Sequence, residues 1–176
     1  MRSMVLWLLP VIAGCSVLAV GPFPHTTIPS EIAAAATERL EMISSARGVQ
    51  IYRCDPRKDA PGQFEWVFLA PEANLIDDRG TRAGRHYEGP TWEGQDGSKV
   101  VGTVQARKEA PDKTSIPWLR LAARSTGGPG VMSGVTTILR VSTSGGVPPV
   151  SGCPSDAQGR INRVDYRADY YFYVPR

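Results

Sequence analysis

The spacing of apolar residues changes period near Gly48. In "SEIAAAATERLEMISS", Ile32, Ala36, Leu40 and Ile43 recur at helical spacing, and the alanine run favours a helix from about Ser30. After Gly48 the period is two. "VQIYRC" alternates, and "FEWVFLA" (residues 64–70) is apolar on both faces apart from Glu65, as in a strand inside a sandwich. "IDDRGTRAG" has turn chemistry. "TWE" and "KVVGTVQA" flank "GQDG", where Asp96-Gly97 signals a hairpin. "IPWLRLAA" and "VTTILRVST" are two more strands, separated by "STGGPG" and followed by the turn "SGGVPP". The last run alternates most cleanly. Val164, Tyr166, Ala168, Tyr170, Phe172 and Val174 form one face, and Asp165, Arg167, Asp169, Tyr171 and Tyr173 form the other.

About eight turn-punctuated strands predict an all-β fold, an antiparallel sandwich or barrel. No βαβ rhythm leads to a nucleotide crevice. The chain has 176 residues, 18 Gly and 15 Pro, which suits one domain of short strands and tight turns. The net charge is +3, with the arginines scattered rather than clustered. That pattern gives no footprint for nucleic acid.

The N-terminus carries a basic start and an apolar stretch from Val5 to Ala13, too short to span a bilayer. It ends in Ile12-Ala13-Gly14-Cys15, which resembles the lipobox of bacterial lipoproteins. The resemblance implies cleavage before Cys15 and lipid attachment to it. Residues 1–14 are then a signal peptide, 15–29 a lipidated tether ending in "GPFPHTTIP", and 30–176 a single β domain. Ser16 after the cysteine implies an outer-membrane destination in a Gram-negative host. Ordinary cleavage after Val17-Leu18-Ala19 is the competing expectation and gives a periplasmic or secreted protein. Either route leaves Cys54 and Cys153 in an oxidising compartment, where a disulfide between them is expected over two free buried thiols. The only histidines are His25 and His86 and there is no Cys-x-x-Cys, so no metal site and no cofactor is predicted.

Several short motifs occur in order along the domain. They are Gly48-Val-Gln-Ile-Tyr-Arg-Cys54, Gly84-Arg-His-Tyr-Glu-Gly-Pro-Thr-Trp92, Asp96-Gly-Ser98, Pro117-Trp-Leu119, Val135-Thr-Thr-Ile-Leu-Arg-Val141 with Thr143-Ser-Gly-Gly146, and Val164-Asp-Tyr-Arg-Ala-Asp-Tyr170 with Phe172-Tyr173. Together they resemble a family of exported bacterial and fungal proteins catalogued only as a domain of unknown function. The likeness spans about Leu40 to Tyr173 and implies no catalytic residue. It does imply a strand over Leu40 to Ser45, hairpinned onto Val49 to Cys54 across Ala46-Arg47-Gly48. The alanine run then leaves a short helical or irregular piece around Glu31 to Glu38.

Several chemistries are missing. There is no Gly-x-Ser-x-Gly elbow, no Walker loop and no His-Glu-x-x-His. His86 is the one histidine within the domain, so any imidazole acid or base must be His86. Glu88 or Asp96 would supply its carboxylate, and Ser98 a nucleophile. On a strand, His86 and Glu88 would share a face. The competing expectation is structural: Gly89-Pro90 and Asp96-Gly97 make turns, Trp92 fills the core, and His86 bridges neighbouring loops. Trp66 and Trp118 lie in apolar runs and are expected in the core. Tyr171 and Tyr173, beside Arg167 and Asp169, are expected to be exposed and to bind a glycan or an envelope protein. The leading expectation is thus a non-catalytic, lipid-anchored binding domain. The alternatives are a His86-dependent hydrolase or isomerase and a spacer with no ligand.

Overall fold

A computed structural model describes residues 26–176. The lipobox, Cys15 and His25 therefore lie outside the described residues. Eight strands follow one another: β1 (Glu38–Pro56), β2 (Phe64–Ile76), β3 (Arg82–Tyr87), β4 (Thr91–Gly94), β5 (Lys99–Lys108), β6 (Trp118–Ser125), β7 (Thr137–Gly145) and β8 (Ile161–Pro175). Each pairs antiparallel with its predecessor, and β8 returns to β1, so the sheet closes into an up-and-down barrel. The all-β expectation holds, in its barrel form.

The described stretch before β1, residues 26–37, is mostly irregular. Its one regular piece is a 3-10 turn, Ser30–Ile32, and Ala33 is already extended. Tertiary contacts override the helix propensity of the alanines. Ile32 is fully buried against Trp118, Leu139, Val141 and Tyr171 on the outside of the barrel. Arg120 donates to the Ala33 carbonyl, and Thr26 bonds to Ser142. Residues 26–33 thus form a strap laid across the outer wall. The end of the predicted tether belongs to this strap.

The hairpin expected across Ala46-Arg47-Gly48 does not form. β1 is one continuous strand of 19 residues, paired with β8 over most of its length and with β2 from Ser45 onward. The small residues serve close approach instead of a turn. A Cβ on Gly48 would lie 2.1 Å from the Glu72 carbonyl oxygen, so only glycine lets β1 bend onto β2 there.

Residues 64–70 are not buried on both faces, because a closed barrel has only one interior. Phe68 and Leu69 are 49% and 38% exposed. Ile51 pairs with Ala70 and Tyr52 with Phe68, so Leu69 is an extra residue in β2. This bulge turns Phe68 and Leu69 toward the same barrel end.

On β8 the predicted inner face holds: Tyr166, Ala168, Tyr170 and Phe172 are buried in the barrel core. The outer face does not stay exposed. Tyr171 is only 4% exposed, because the strap covers it, and Tyr173 packs beside it. Trp118 belongs to this outer apolar layer, whereas Trp92 is in the barrel core. Trp66 is half-buried beside the Cys54–Cys153 disulfide, which pins the β7–β8 connection to β1 as expected. Its indole donates to the Gly152 carbonyl.

Candidate functional site

In an antiparallel meander, successive connections alternate between the two ends of the barrel. The β4–β5 turn and the β6–β7 connection share one end. There Met132 and Val135 plug the lumen. Asp96 and Ser98 hold that plug. The Asp96 carboxylate accepts from the Ser98 hydroxyl (2.6 Å), the Ser98 N–H and the Val131 N–H. Ser98 Oγ accepts from the Met132 N–H at 3.1 Å. These bonds, the Ser98 hydroxyl first, keep the Asp96 carboxyl below its usual range.

The opposite end, beside the β3–β4 turn, is open. It leads into a cavity of about 680 Å³ inside the barrel. An eight-stranded barrel has room for core side chains or for one small ligand. Here the plugged end is filled and the open end is not.

His86, Trp92 and Tyr170 form an aromatic cluster in the cavity wall. His86 pairs with Trp92 across β3 and β4, and the two rings stack at 4.2 Å. Tyr170 meets both edge-on, at 5.1 and 5.3 Å. His86 is 2% exposed, and its Nδ1 lies 2.8 Å from the Thr91 carbonyl oxygen. A carbonyl only accepts, so Nδ1 carries the proton and Nε2 keeps its lone pair. Burial pushes the His86 pKa down to about 3; the Thr91 bond opposes this and the nearby Arg140 charge adds to it.

No catalytic pair forms around this histidine. β3 ends at Tyr87, so Glu88 falls in the turn, where it is exposed at the cavity mouth. Among the described residues, the His86 ring is hydrogen-bonded to the Thr91 carbonyl and to no carboxylate. Asp96 and Ser98 sit at the plugged end, so the geometry brings neither of them to His86. A histidine with a pKa near 3 is also a weak base at neutral pH.

Arg140 is the residue that sequence reasoning missed. It follows Ile138 on the inner face of β7, and its guanidinium donates twice to the Pro117 carbonyl, at 3.1 and 2.9 Å. Among the described residues it has no carboxylate within ion-pair distance. Its charge reaches Tyr52, His86, Tyr166 and Tyr170. Gln50 Nε2 and the Tyr166 and Tyr170 hydroxyls are drawn together nearby, yet none is aligned for a hydrogen bond. Trp92 Nε1 is likewise buried without a partner. Leaving one such group unmet costs about 1–3 kcal/mol, so these atoms call for water or a ligand in the cavity. The available signal was parity: Arg140 has the same strand phase as Ile138. It was masked because Leu139 and Val141, on the other face, are apolar too.

The other predicted binding residues do not form one exposed patch. Tyr171 lies under the strap, Asp169 accepts from Ser45 at 2.7 Å, and Arg167 is exposed opposite Arg47 of β1.

No curated protein and no solved structure matches the chain. One family model does, and it covers residues 35–174, the whole barrel up to the penultimate residue of β8. The chain therefore belongs to the family described as "Protein of unknown function (DUF3455)".

Proposed function

We propose that this protein is a non-catalytic binding barrel that holds a small organic molecule in its lumen. The open cavity carries the reading. Its volume of about 680 Å³ lies within the roughly 300–1,000 Å³ usual for small-molecule sites. It combines apolar walls with a few convergent polar groups, the composition typical of such sites. This moves the proposed binding from the outer face of β8 to the interior. The lack of a carboxylate partner for His86 argues against the hydrolase or isomerase alternative. We further propose that the barrel works at the cell envelope, exported and held to a membrane by lipid on Cys15, with the lipobox-like Ile12-Ala13-Gly14-Cys15 as support.

N-phenyl-1-naphthylamine, a neutral fluorophore that brightens in apolar sites, tests the cavity. Saturable one-to-one binding is expected to the wild type. Val104→Trp, a change at a half-exposed rim position, should weaken it at least about tenfold by narrowing the mouth. A linear, unsaturable response, or equal binding by the folded variant, would overturn the reading. For the anchor, intact mass of the mature protein is expected to show an acylated Cys15. An unmodified start at Ser16, Val17 or Val20 would refute it.

A further inference from the structure

The cavity lining has two parts of different character. One part is polar: the Arg140, Gln50, Tyr170 and Trp92 side chains all line the lumen. Three of these side chains are almost fully buried, and their polar atoms make no aligned hydrogen bond, although Gln50 and Tyr170 each lie beside the Tyr166 hydroxyl. Arginine, the glutamine amide nitrogen and the indole are donors only, and a tyrosine hydroxyl can donate. This part of the lining therefore presents donors with spare hydrogen-bonding capacity around one cation. Among the described residues no carboxylate lies within ion-pair distance of that cation. Glu88, the acidic residue of the lining, is exposed in the turn at the mouth.

The rim has the opposite character. Phe68, Leu69 and Val104 are 49%, 38% and 53% exposed, and all three lie at the cavity mouth. Bulges at Leu69 and Gln105 set this rim. The arrangement has a chemical consequence. A cation among unmet donors favours an oxyanion, which offers several lone pairs at once. An apolar collar favours an uncharged hydrocarbon body.

Building on the lumen-binding reading above, we propose that the ligand is a small amphiphilic carboxylate. Its head group enters first and lies on Arg140, Gln50 and Tyr170. Its apolar body stacks along Trp92 and leaves through the Phe68–Leu69–Val104 collar. The head group replaces the acidic partner that Arg140 lacks among the described residues. The remaining free guanidinium donors make the contact charge-assisted, the stronger kind of hydrogen bond.

A matched set of probes tests this: naphthalene-2-acetate, its neutral amide, and 2-(2-naphthyl)ethylammonium. All three share one ring system and differ in the head group. Each competes against bound N-phenyl-1-naphthylamine, with calorimetry as the direct check. The carboxylate is expected to bind at least tenfold more tightly than the amide, and the ammonium most weakly. Arg140→Gln should cost the carboxylate about 10- to 100-fold, the range of a charge-assisted hydrogen bond, while the amide changes less than threefold. Arg140→Lys should restore part of the preference, which separates charge from packing. Circular dichroism confirms that the variants fold; if Arg140→Gln does not, the preference among probes on the wild type still decides. Equal affinity for carboxylate and amide, or a carboxylate preference that survives in folded Arg140→Gln, overturns this proposal and leaves the cavity reading intact. Failure of the neutral fluorophore and of every probe to bind overturns both.

Discussion

His86 predicts a specific loss of stability in mild acid. Its ring is neutral in the folded barrel, with a pKa pushed down to about 3 by burial. In the unfolded chain a histidine titrates near 6.5. Between these values the unfolded state binds a proton that the folded state refuses, so stability falls as the pH falls. The stabilising contribution is complete above the unfolded value and declines toward the folded one. Integrating the two titrations gives a loss of about 2.5 kcal/mol between pH 7.5 and 4.5. Carboxylates held below their usual values begin to add to the loss only near the bottom of this interval, and equally in wild type and in a His86 variant. Those with resolved shifts, such as Glu38, Asp96 and Asp112, sit below their usual values and titrate in stronger acid. Urea unfolding followed by circular dichroism at one-unit pH steps measures the effect. At a slope of roughly 1–3 kcal/mol per molar urea, the midpoint should fall by about 0.8–2.5 M across the interval. His86→Gln removes the titrating group and should flatten the profile, even though its stability at pH 7.5 is lower from the lost stacking on Trp92. The comparison also cancels His25, common to both proteins. Parallel profiles for wild type and variant would refute the assignment of His86 as a buried neutral imidazole.

Two further perturbations address the frame around the cavity. Gly48→Val places a side chain where the Glu72 carbonyl already lies 2.1 Å from the Cβ position, and that obstacle is backbone. A cost of about 3 kcal/mol is expected, read as a drop of roughly 6–12 °C in Tm; a drop under 2 °C would mean that β1 and β2 do not cross so closely there. Reducing Cys54–Cys153 opens a closure of 99 residues, worth up to about 4.7 kcal/mol in the chain-entropy account. Urea midpoints of the oxidised protein and of a thiol-titrated reduced sample check this, and coincident midpoints would show that the bridge adds no stability.

The alternation of β8 was legible because one rule fixed it. Residues two apart on a strand share a face, so Tyr166, Ala168, Tyr170 and Phe172 had to turn inward together. The disulfide was legible from the even pair, Cys54 and Cys153, that remains once Cys15 is set aside with the signal-like N-terminus. The bond type at His86 was also within reach: a polar side chain among glycines and prolines was expected to bridge loops, and it holds the Thr91 carbonyl. The continuity of β1 was not. Ala-Arg-Gly reads alike whether the small residues make a turn or admit a neighbouring backbone, and Glu72 lies 24 positions beyond Gly48. The pairing of His86 with Glu88 failed for a local reason, since β3 stops one residue short of carrying both.

The hidden site and the mistaken surface have one cause. Where both faces of a strand are apolar, the sequence does not say which face is the lumen. Leu139, Val141 and Tyr171 are apolar or aromatic because residues 26–33 lie over them, and that strap reaches them from more than a hundred positions away. Its presence makes Tyr171 look like an exposed binding residue on a half-wet sheet. It also hides Arg140 in an apparently uniform apolar run. Once the sheet closes, the parity of Arg140 puts it inside with Tyr170, and the parity of Gln50 does the same from β1. Arg140 is half-buried, faces an open lumen and already donates to the Pro117 carbonyl, so water or a bound anion can reach its remaining donors. The carboxylate we propose would supply its counter-charge from outside the chain, and the open end beside Glu88 is the route by which it can enter.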